Sequence, residues 1–484
     1  MGTALTTLRQ DRWGEDWLVG LDGQRFWPRL KQFSLALERP TNHTNPQPAI
    51  LIAEPDPLKF LAAFFAAHSL GYSVLLANPQ WGNHERQVLN AIAQPQWSNP
   101  VDQHFSCYPC PTLSGMVAPL IAIPTGGSGG TVKFTLHTWA TLMASVQGFC
   151  HHFGTDSVSA YCVLPLYHVS GLMQALRVFT SGGQLAVQPY RALKQGQLLT
   201  LADGGFLSLV PTQLQDLLDR GDPFLPWLRR FRAVLLGGAP PWPALLHRAR
   251  AEGIPLALTY GMTETASQVA TLLPEEFLAG HNSSGRPLSH ASLKILDYQG
   301  KVQPPGLVGQ VVIEAESLAW GYLGRGTFSR EELGIPDPQP IPEGGFPLSC
   351  RTFTTDDVGY VDGDGYLYIV GRSSTKLITG GENVFPEEIE AALLATGQVQ
   401  DACVVGLPDA HWGQRLCALV GLRQPGRLDE LEDRVRSRLS PFKVPKLWIW
   451  VPIIPRTPQG KISRKQALVL AEAILGLIAF PAAE

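Results

Sequence analysis

A lysine near the C-terminal end and a distant glycine-rich stretch are the residues best suited to phosphate chemistry. Residues 455–461 read PRTPQGK and end at Lys461, while residues 125–133 read TGGSGGTVK. The backbone N–H groups of such a glycine loop can approach phosphate oxygens without interference from Cβ atoms, and a lysine supplies a positive charge. Together they suggest an enzyme that binds a polyphosphate such as ATP.

The glycine-rich stretch alone is also compatible with an ordinary flexible turn. No Gly-Lys-Ser or Gly-Lys-Thr follows its glycines, so the sequence does not support a P-loop NTPase. For Lys461 the alternative is a surface lysine that follows a turn. The specificity of both features therefore depends on the motifs around them.

Three further motifs lie between the two in a fixed order. Residues 164–168 read LPLYH, residues 260–264 read YGMTE, and residues 355–359 read TDDVG, followed by Gly371 and Arg372. With the glycine loop and Lys461, this ordered set resembles the acyl-adenylate-forming family of acyl-CoA synthetases, adenylation domains and luciferases. The resemblance extends from about residue 121 to residue 461.

The resemblance implies a reaction in two steps that uses ATP, Mg²⁺ and CoA. A carboxylate attacks the α-phosphate of ATP and releases pyrophosphate, and a thiol then takes the acyl group from the acyl-adenylate. Lys461, His168 and Glu264 are the expected catalytic residues, with Glu264 also a Mg²⁺ ligand and Lys461 acting in the first step. The expected nucleotide-binding residues are Thr125, Gly126, Gly127, Ser128, Gly130, Lys133, Gly238, Ala239, Tyr260, Gly261, Thr263, Asp357 and Arg372.

Individual roles follow from the same resemblance. Asp357 is expected to accept hydrogen bonds from both ribose hydroxyls, with Arg372 beside the same sugar. The turn at Gly238 and Ala239 is expected next to adenine, and residues 380–384 near the pantetheine channel. For Glu264 the alternative is a carboxylate at a helix N-terminus, and for Asp357 and Arg372 a turn aspartate and a surface arginine.

Some positions differ from the family pattern. Gly126 and Gly129 occur where Ser or Thr is usual, and Val132 occurs where Pro is usual, so the phosphate loop has fewer hydroxyl groups. Asp356 replaces the common Gly before Asp357, and Thr375 occupies the expected hinge position. None of these changes removes an expected catalytic group.

The segment after the second motif indicates the acid. Residues 164–171 read LPLYHVSG and Arg177 follows, which resembles the branch of the family that ligates o-succinylbenzoate to CoA. An acid with a second carboxylate needs a cation and hydrogen-bond donors at the far end of its pocket, because a buried unpaired carboxylate is costly. His168, Ser170, Arg177 and Ser267 are the expected acid-binding residues, with Gln268 and Thr271 as further candidates. The alternative for Arg177 is a solvent-facing helix residue.

Two other functions stay open from the sequence. One is a CoA ligase for another aryl or medium-chain acid, whose pocket would not use Arg177. The other is a degenerate acyl-adenylate-binding protein without turnover, suggested by Gly129 and Val132. The presence of Glu264, Asp357 and Lys461 favours an active enzyme.

Composition restricts the partners and the compartment. The 484 residues carry a formal charge of −3 without a block of Lys or Arg, so nucleic-acid binding is not expected. Seven cysteines, an odd number, favour a reducing compartment, and we expect a cytoplasmic protein. The apolar residues 467–480 include Glu472 and are too short for a membrane span, which favours a terminal helix. Assembly into a homo-oligomer stays open.

The hydrophobic pattern predicts an α/β fold. Apolar runs at 49–53 and 73–77 flank a helix at 57–70 and form a βαβ unit. Further apolar strands separated by helix-length segments predict parallel sheets covered by helices, at residues 160–164, 184–187, 206–210 and 233–236. Shorter strands after residue 291 predict a smaller β region, and residues 334–347 a long loop.

We expect two domains. The large N-terminal domain, residues 1–372, would bind the nucleotide and the acid. The small mobile α+β domain, residues 373–484, would carry Lys461 and be hinged near residues 373–376. Its predicted elements are a helix that opens at 386–390, a second helix at 428–439, and strands at 402–406 and 416–422.

Overall fold

The computed structural model describes residues 12, 14–38, 49–98, 100–110, 119–126, 132–201, 204–323, 351–379, 382–409, 412–422, 428–456 and 462–476. The helices in this part of the chain are α1 (Phe26–Glu38), α2 (Pro57–Ser69), α3 (Asn83–Ala93), α4 (Trp139–His152), α5 (Val169–Ser181), α6 (Tyr190–Lys194), α7 (Pro211–Arg220), α8 (Phe224–Leu228), α9 (Pro243–Ala251), α10 (Pro274–Leu278), α11 (Pro386–Leu394), α12 (Leu428–Arg436) and α13 (Arg464–Ile474).

The strands, in chain order, are β1 (Leu18–Val19), β2 (Ala49–Ile52), β3 (Ser73–Leu76), β4 (Cys107–Pro109), β5 (Ile121–Gly126), β6 (Val132–His137), β7 (Ala160–Cys162), β8 (Leu185–Val187), β9 (Phe206–Leu209), β10 (Ala233–Leu236), β11 (Leu256–Met262), β12 (Ser267–Thr271), β13 (Arg286–Pro287), β14 (Ala291–Leu296), β15 (Gly309–Ala315), β16 (Gly321–Leu323), β17 (Arg351–Val361), β18 (Leu367–Arg372), β19 (Leu377–Thr379), β20 (Glu382–Val384), β21 (Val399–Asp409), β22 (Gly413–Leu422) and β23 (Leu447–Trp450).

The chain divides into two compact units. The larger consists of Met1–Gly238, Ile254–Lys294 and Val312–Thr354, and the smaller consists of Ala239–Gly253, Ile295–Val311 and Thr355–Glu484. The domain boundary expected between residues 372 and 373 stays a prediction.

The first sheet of the larger unit contains the predicted βαβ unit. Its strand order is β16-β6-β5-β3-β2-β4, with β2, β3 and β5 parallel and the outer strands antiparallel. Helix α2 begins at Pro57, a residue suited to the first helical position, and the Asp56 side chain accepts a hydrogen bond from the Lys59 N–H. Its apolar residues are buried on nearly every side, as expected of a helix inside a core.

The second sheet has the order β1-β8-β7-β9-β10-β11-β12-β13. It is parallel from β1 to β11, and β12 and β13 add antiparallel strands at one end. A single apolar cluster contains residues of both sheets and of α2, α4 and α5, so helices lie between the two sheets. This arrangement places the loops after β5, β10 and β11 at strand ends, where α/β proteins bind ligands.

A small β region follows. Strands β14, β15, β17 and β18 form a four-stranded sheet, in which β17 and β18 are antiparallel. These strands match the smaller β region expected after residue 291.

The smaller unit also contains a sheet with helices on both faces. In the β21–β22 hairpin, Val404 and Ala418 pack with α11 and α12, whereas Cys403 and Leu419 pack with α13. This alternation is the period of two expected of a strand covered on both sides. The helices and the sheet make the α+β architecture predicted for this part of the chain.

Predicted and observed elements agree closely in type. Differences are confined to the ends of elements: the helix expected at 428–439 ends at Arg436, and β21 extends beyond 402–406. The terminal helix predicted at 467–480 begins earlier, at Arg464, and ends at Ile474, with Leu475 as its C-cap residue. The loop at 334–347 lies outside the described residues. None of the described helices is long and apolar enough to cross a membrane.

Candidate active site

The glycine-rich stretch connects two antiparallel strands. Thr125 pairs with Lys133, and Gly126 pairs with Val132, so β5 and β6 are antiparallel neighbours on either side of residues 127–131. Gly127, Ser128 and Gly130 lie outside the described residues. The Nζ of Lys133 lies 5.4 Å from the centre of the Tyr322 ring. The hairpin therefore brings Thr125 and Lys133 together at the base of the predicted phosphate loop.

Thr263 and Glu264 occupy a tight reversal between two strands. Strand β11 ends at Met262, a 3₁₀ turn spans Thr263–Thr265, and β12 begins at Ser267. Ala266 and Ser267 both have positive φ values, 51° and 95°, which are uncommon for residues with side chains. Such strain costs on the order of 1–3 kcal/mol per residue and is typical of functional sites.

Gly261 allows β12 to pass close to β11 after the reversal. A Cβ atom there would lie 2.1 Å from the Ser267 carbonyl oxygen, and the register between β11 and β12 shifts at the same place. The YGMTE motif thus needs glycine for the approach of the returning strand. Tyr260, just before it, is buried.

Hydrogen bonds from two other elements fix the reversal. The hydroxyl of Tyr322 donates to Glu264 Oε1 at 2.6 Å, and the Ala319 N–H donates to the Glu264 carbonyl oxygen at 2.8 Å. His137 Nε2 is 2.8 Å from the Thr263 carbonyl oxygen, and because a carbonyl only accepts, this nitrogen carries the proton. Burial lowers the pKa of His137 to about 4, so its ring is neutral near pH 7.

Asp357 and Arg372 are brought together, as expected. They are directly opposite each other on β17 and β18, and Arg372 Nε lies 3.0 Å from Asp357 Oδ1. The Asp357 side chain is 8% exposed and that of Arg372 54% exposed, so the arginine covers a nearly buried carboxylate. Asp356, which departs from the family pattern, accepts hydrogen bonds from the backbone N–H and hydroxyl of Ser374.

The turn expected near adenine follows β10. Gly238 has φ +81°, a conformation that glycine adopts without strain. A Cβ on the preceding Gly237 would lie 2.5 Å from Thr259 Oγ1, which explains the pair of glycines. Ala239 is exposed in the segment that follows.

His168 and Ser170 lie at the start of α5. His168 is the N-cap residue, and Gly171 packs so tightly that a Cβ would lie 2.2 Å from the Pro165 carbonyl oxygen. Ser170 is exposed, and Gln174 Nε2 donates to its carbonyl oxygen at 2.8 Å. Because Ser170, Gln174 and Arg177 are spaced four and three residues apart, they share one face of the helix.

Arg177 is buried rather than solvent-facing, so that alternative is wrong. It is 3% exposed, and its Nη2 donates to Ser267 Oγ at 3.1 Å and to Gln268 Oε1 at 3.0 Å. Its guanidinium carbon lies 4.2 Å from the centre of the Phe149 ring. Burial lowers the pKa of Arg177 to about 10, which leaves the group charged at pH 7. A hydrogen bond thus joins two predicted acid-binding residues, the buried Arg177 and the half-buried Ser267.

Arg177 has no acidic partner among the described residues. Within the described residues no carboxylate forms an ion pair with Arg177, and Arg177 Nε and Gln268 Nε2 have no hydrogen-bond partner. Thr271 is also buried, and its hydroxyl has no hydrogen-bond partner among the described residues. A buried cation without a counter-ion is costly, and a bound anion would remove that cost.

Lys461 lies outside the described residues, but both ends of its loop are described. Arg456 and Ile462 form an isolated antiparallel bridge, and the Ser463 N–H donates to the Pro455 carbonyl oxygen at 2.8 Å. Arg456 binds Asp401 at 2.6 Å. The residues on either side of 457–461 are therefore held together.

The segment after the lysine loop is linked to the predicted hinge. Arg464 contacts Glu387 at 2.7 Å and Glu390 at 3.0 Å, and the Thr375 hydroxyl donates to Glu387 Oε1 at 3.0 Å. Residues 380 and 381 lie outside the described part, between β19 and β20, where Thr379 pairs with Glu382.

Sequence reasoning missed Tyr322, His137, Gln174 and His290. Tyr322 and His137 contact residues more than 50 positions away along the chain, and no local motif marks either of them. A helix-interior glycine, Gly148, was the available signal for His290: a Cβ on Gly148 would lie 1.8 Å from His290 Nδ1. Glycine there costs about 1 kcal/mol relative to alanine, so a close neighbour is the physical reason for it.

Comparison with known proteins agrees with this geometry. Residues 101–323 match the AMP-binding enzyme family, and residues 388–461 match the C-terminal domain of AMP-binding enzymes. The chain therefore belongs to the AMP-binding enzyme family, and the predicted resemblance is confirmed.

Its relatives include two bacterial 2-succinylbenzoate–CoA ligases. The one from Geobacillus sp. (strain WCH70) is 35% identical over 71% of this chain and 67% of the relative. The one from Enterococcus faecalis (strain ATCC 700802 / V583) is 33% identical over 70% of this chain and 67% of the relative.

Solved structures share the fold. The o-succinylbenzoate CoA synthetase (MenE) from Bacillus subtilis, in complex with the acyl-adenylate intermediate OSB-AMP, has a TM-score of 0.76 and 24% identity, covering 96% of this chain and 98% of that one. ATP-bound MatB from Rhodopseudomonas palustris has a TM-score of 0.74 and 21% identity, covering 93% of each chain. The predicted fold class, a large α/β domain with a smaller α+β domain, is confirmed.

Proposed function

We propose that this chain is an ATP-dependent acid–thiol ligase that acts on 2-succinylbenzoate. It adenylates the acid with release of pyrophosphate and transfers the acyl group to CoA, giving 2-succinylbenzoyl-CoA for quinone (vitamin K) biosynthesis. The observation that supports this substrate most strongly is the buried guanidinium of Arg177, which has hydrogen-bonding side chains but no ion-pair partner among the described carboxylates. Membership of the family and the names of the relatives support the same activity.

In the first step a carboxylate oxygen of the acid attacks the α-phosphorus, and the bond to the pyrophosphate oxygen breaks. Charge on the phosphoryl oxygens is stabilised by positioned cations rather than by a protein nucleophile. Lys461 supplies one such cation, and Thr125 and Lys133 flank the phosphate loop. His168 borders the reacting carboxylate at the start of α5.

Glu264 suits a Mg²⁺ ion that is held mainly by the nucleotide. The described residues contain no group of three or more His, Cys, Asp or Glu side chains able to hold a metal. Mg²⁺ in nucleotide enzymes needs only one or two carboxylates, with phosphate oxygens and water completing its shell. The bond from Tyr322 orients the Glu264 carboxylate, and Mg²⁺ would supply positive charge beside the phosphates.

Asp357 and Arg372 bind the ribose, and the turn at Gly238 and Ala239 lies along adenine. In the second step the CoA thiol attacks the acyl carbon, and AMP leaves as the carbon–sulfur bond forms. Arg177, Ser267 and Ser170 recognise the carboxylate that does not react, and Gln268 and Thr271 line the same wall.

CoA as the thiol and a cytoplasmic location complete the proposal. The cysteines of the described residues, six of them, are all free thiols, which suits a reducing compartment. Partners are small molecules, and assembly into a homo-oligomer would be measured by sedimentation.

The deciding experiment measures AMP release by the purified protein with ATP, Mg²⁺ and CoA. The acids compared are 2-succinylbenzoate, benzoate, a cinnamate and a medium-chain fatty acid. Selective turnover of 2-succinylbenzoate is the expected result. Preferential turnover of another acid would overturn the substrate, and no turnover with any acid would favour a binding protein without activity.

A further inference from the structure

A buried polar cluster extends the site around Arg177. We define it as Gln174, Arg177, Gln268 and His290, which are each at most 6% exposed. Within the described residues, each has a side-chain atom without a hydrogen-bond partner: Gln174 Oε1, Arg177 Nε, Gln268 Nε2, and both ring nitrogens of His290. Buried polar atoms are normally paired, so a group of unpaired atoms around a charged arginine indicates a binding site for a polar ligand.

Two consecutive residues of α4, Gly148 and Phe149, lie against the His290 imidazole and the Arg177 guanidinium. Gly148 lies against the His290 ring, where a Cβ would be 1.8 Å from Nδ1. Phe149, the next residue, lies under the Arg177 guanidinium at 4.2 Å. Helix α4 thus contacts both the imidazole and the guanidinium, and the charge of Arg177 is near enough to lower the pKa of His290.

The charges of the cluster suit one carboxylate. Burial and the nearby charge of Arg177 lower the pKa of His290 to about 4, so near pH 7 the imidazole is neutral and carries one N–H donor. A carboxylate has about four lone-pair positions, and Arg177 Nε, Gln268 Nε2 and the His290 N–H offer three donors without partners among the described residues. One guanidinium and one carboxylate then form a buried pair without net charge.

We propose that His290 is a specificity-determining residue that donates a hydrogen bond to the non-reacting carboxylate of the acid, beside Arg177. This inference rests on the proposed function, because it concerns the recognition of a dicarboxylic acid by the same site. It assigns Gly148 a role as well, since any larger residue there would displace the imidazole.

The test compares pyrophosphate exchange by the full-length protein and three variants: His290→Phe, His290→Gln and Gly148→Ala. The acids are 2-succinylbenzoate and two monocarboxylate analogues, which lack either the ring carboxylate or the succinyl carboxylate. Loss of a hydrogen bond to a charged group lowers affinity by about tenfold or more. His290→Phe should therefore raise KM for 2-succinylbenzoate by about that factor, with kcat and the KM for ATP within about threefold of wild type.

His290→Gln retains an N–H donor and should recover most of the affinity. Gly148→Ala should raise the same KM selectively, and it should add little in a His290→Ala background, where the clash no longer exists. KM for the analogue that is still adenylated should stay unchanged in each variant. This dependence on the carboxylate separates recognition from a loss of folding, which would affect every acid equally.

Two results would overturn the inference: an unchanged KM for 2-succinylbenzoate in His290→Phe, or equal changes for that acid and its analogue. Failure of the proposed function is a different result, because the wild-type protein itself would then not use 2-succinylbenzoate.

Discussion

Arg177 gains its importance from burial, which the sequence around it does not reveal. The guanidinium lies between Phe149, Ser267 and Gln268 and has no ion pair among the described residues. Removal of a charge that pairs with a buried carboxylate costs several kcal/mol. We therefore expect Arg177→Ala to raise KM for 2-succinylbenzoate by about a hundredfold or more, measured by AMP release.

A monocarboxylate analogue without the non-reacting carboxylate should be affected little by Arg177→Ala. The matched control is Arg191→Ala, an exposed arginine of α6. Equal losses for the dicarboxylate and the analogue would reject the carboxylate-binding role of Arg177.

We propose that Lys461 acts only in the first of the two steps. A positive charge about 4 Å from a developing charge is worth on the order of 4 kcal/mol, or roughly a thousandfold in rate. Lys461→Ala should therefore abolish adenylation, measured by pyrophosphate exchange. Formation of the CoA thioester from a supplied acyl-adenylate should be largely retained.

The control for Lys461 is Lys465→Ala, an exposed lysine of α13. Comparable losses in both half-reactions of Lys461→Ala would contradict a role limited to the first step.

The roles of single residues could be predicted where a sequence motif contains them. Contacts that form only through folding could not be predicted. Asp357 and Arg372 were expected as a pair, and β17 and β18 place them opposite each other. The link between Tyr322 and Glu264 joins residues 58 positions apart, and its pairing depends on how the strands are ordered in the sheet. A helix-length segment was predicted around Arg177. Whether Arg177 faces the core depends on its contact with β12, which is distant in sequence.

At the scale of elements, β16 is a short edge strand with a specific position. It pairs with β6 so that Tyr322 is opposite Thr135, and this places the Tyr322 ring near Lys133 and its hydroxyl on Glu264. One strand therefore connects the base of the phosphate loop to the expected Mg²⁺ ligand. The backbone of β16 does not depend on the hydroxyl.

We expect Tyr322→Phe to keep the fold and to weaken the orientation of Glu264. A hydrogen bond to a carboxylate contributes about 1.5–3 kcal/mol, so the Mg²⁺ concentration needed for half-maximal adenylation should rise by about tenfold. The exposed Tyr298→Phe is the matched control. An unchanged Mg²⁺ dependence would show that Tyr322 does not orient this carboxylate.

The elements themselves could largely be predicted because their patterns are local. Strands β2 and β3 are buried apolar runs, and Pro57 and Asp56 mark the start of α2. The order of the strands could not be predicted, because β7 pairs with β8 and β9, and short apolar strands of similar length do not specify their neighbours. The positive φ values at Ala266 and Ser267 were also unexpected, because neither residue type favours that conformation.

At the scale of the whole molecule, two buried histidines and one half-buried histidine connect stability with pH. Burial lowers the pKa of His68, His137 and His290 to about 4 in the folded chain, from an ordinary value of 6.5. The unfolded chain therefore binds more protons than the folded chain between those values. The contribution of these three histidines to the free energy of unfolding is therefore full above pH 6.5 and falls as the pH decreases toward 4.

Proton uptake on unfolding measures this effect directly, without assuming that both units unfold together. Near pH 5 each of these histidines should contribute about one proton. His137→Gln, which can still donate to the Thr263 carbonyl oxygen, should therefore reduce the uptake by about one proton relative to wild type. His151→Gln, on the exposed side of α4, is the control. Equal uptake by wild type and His137→Gln would mean that His137 is already protonated in the folded chain, and its bond to Thr263 would then fix a charged ring beside the predicted nucleotide-binding turn.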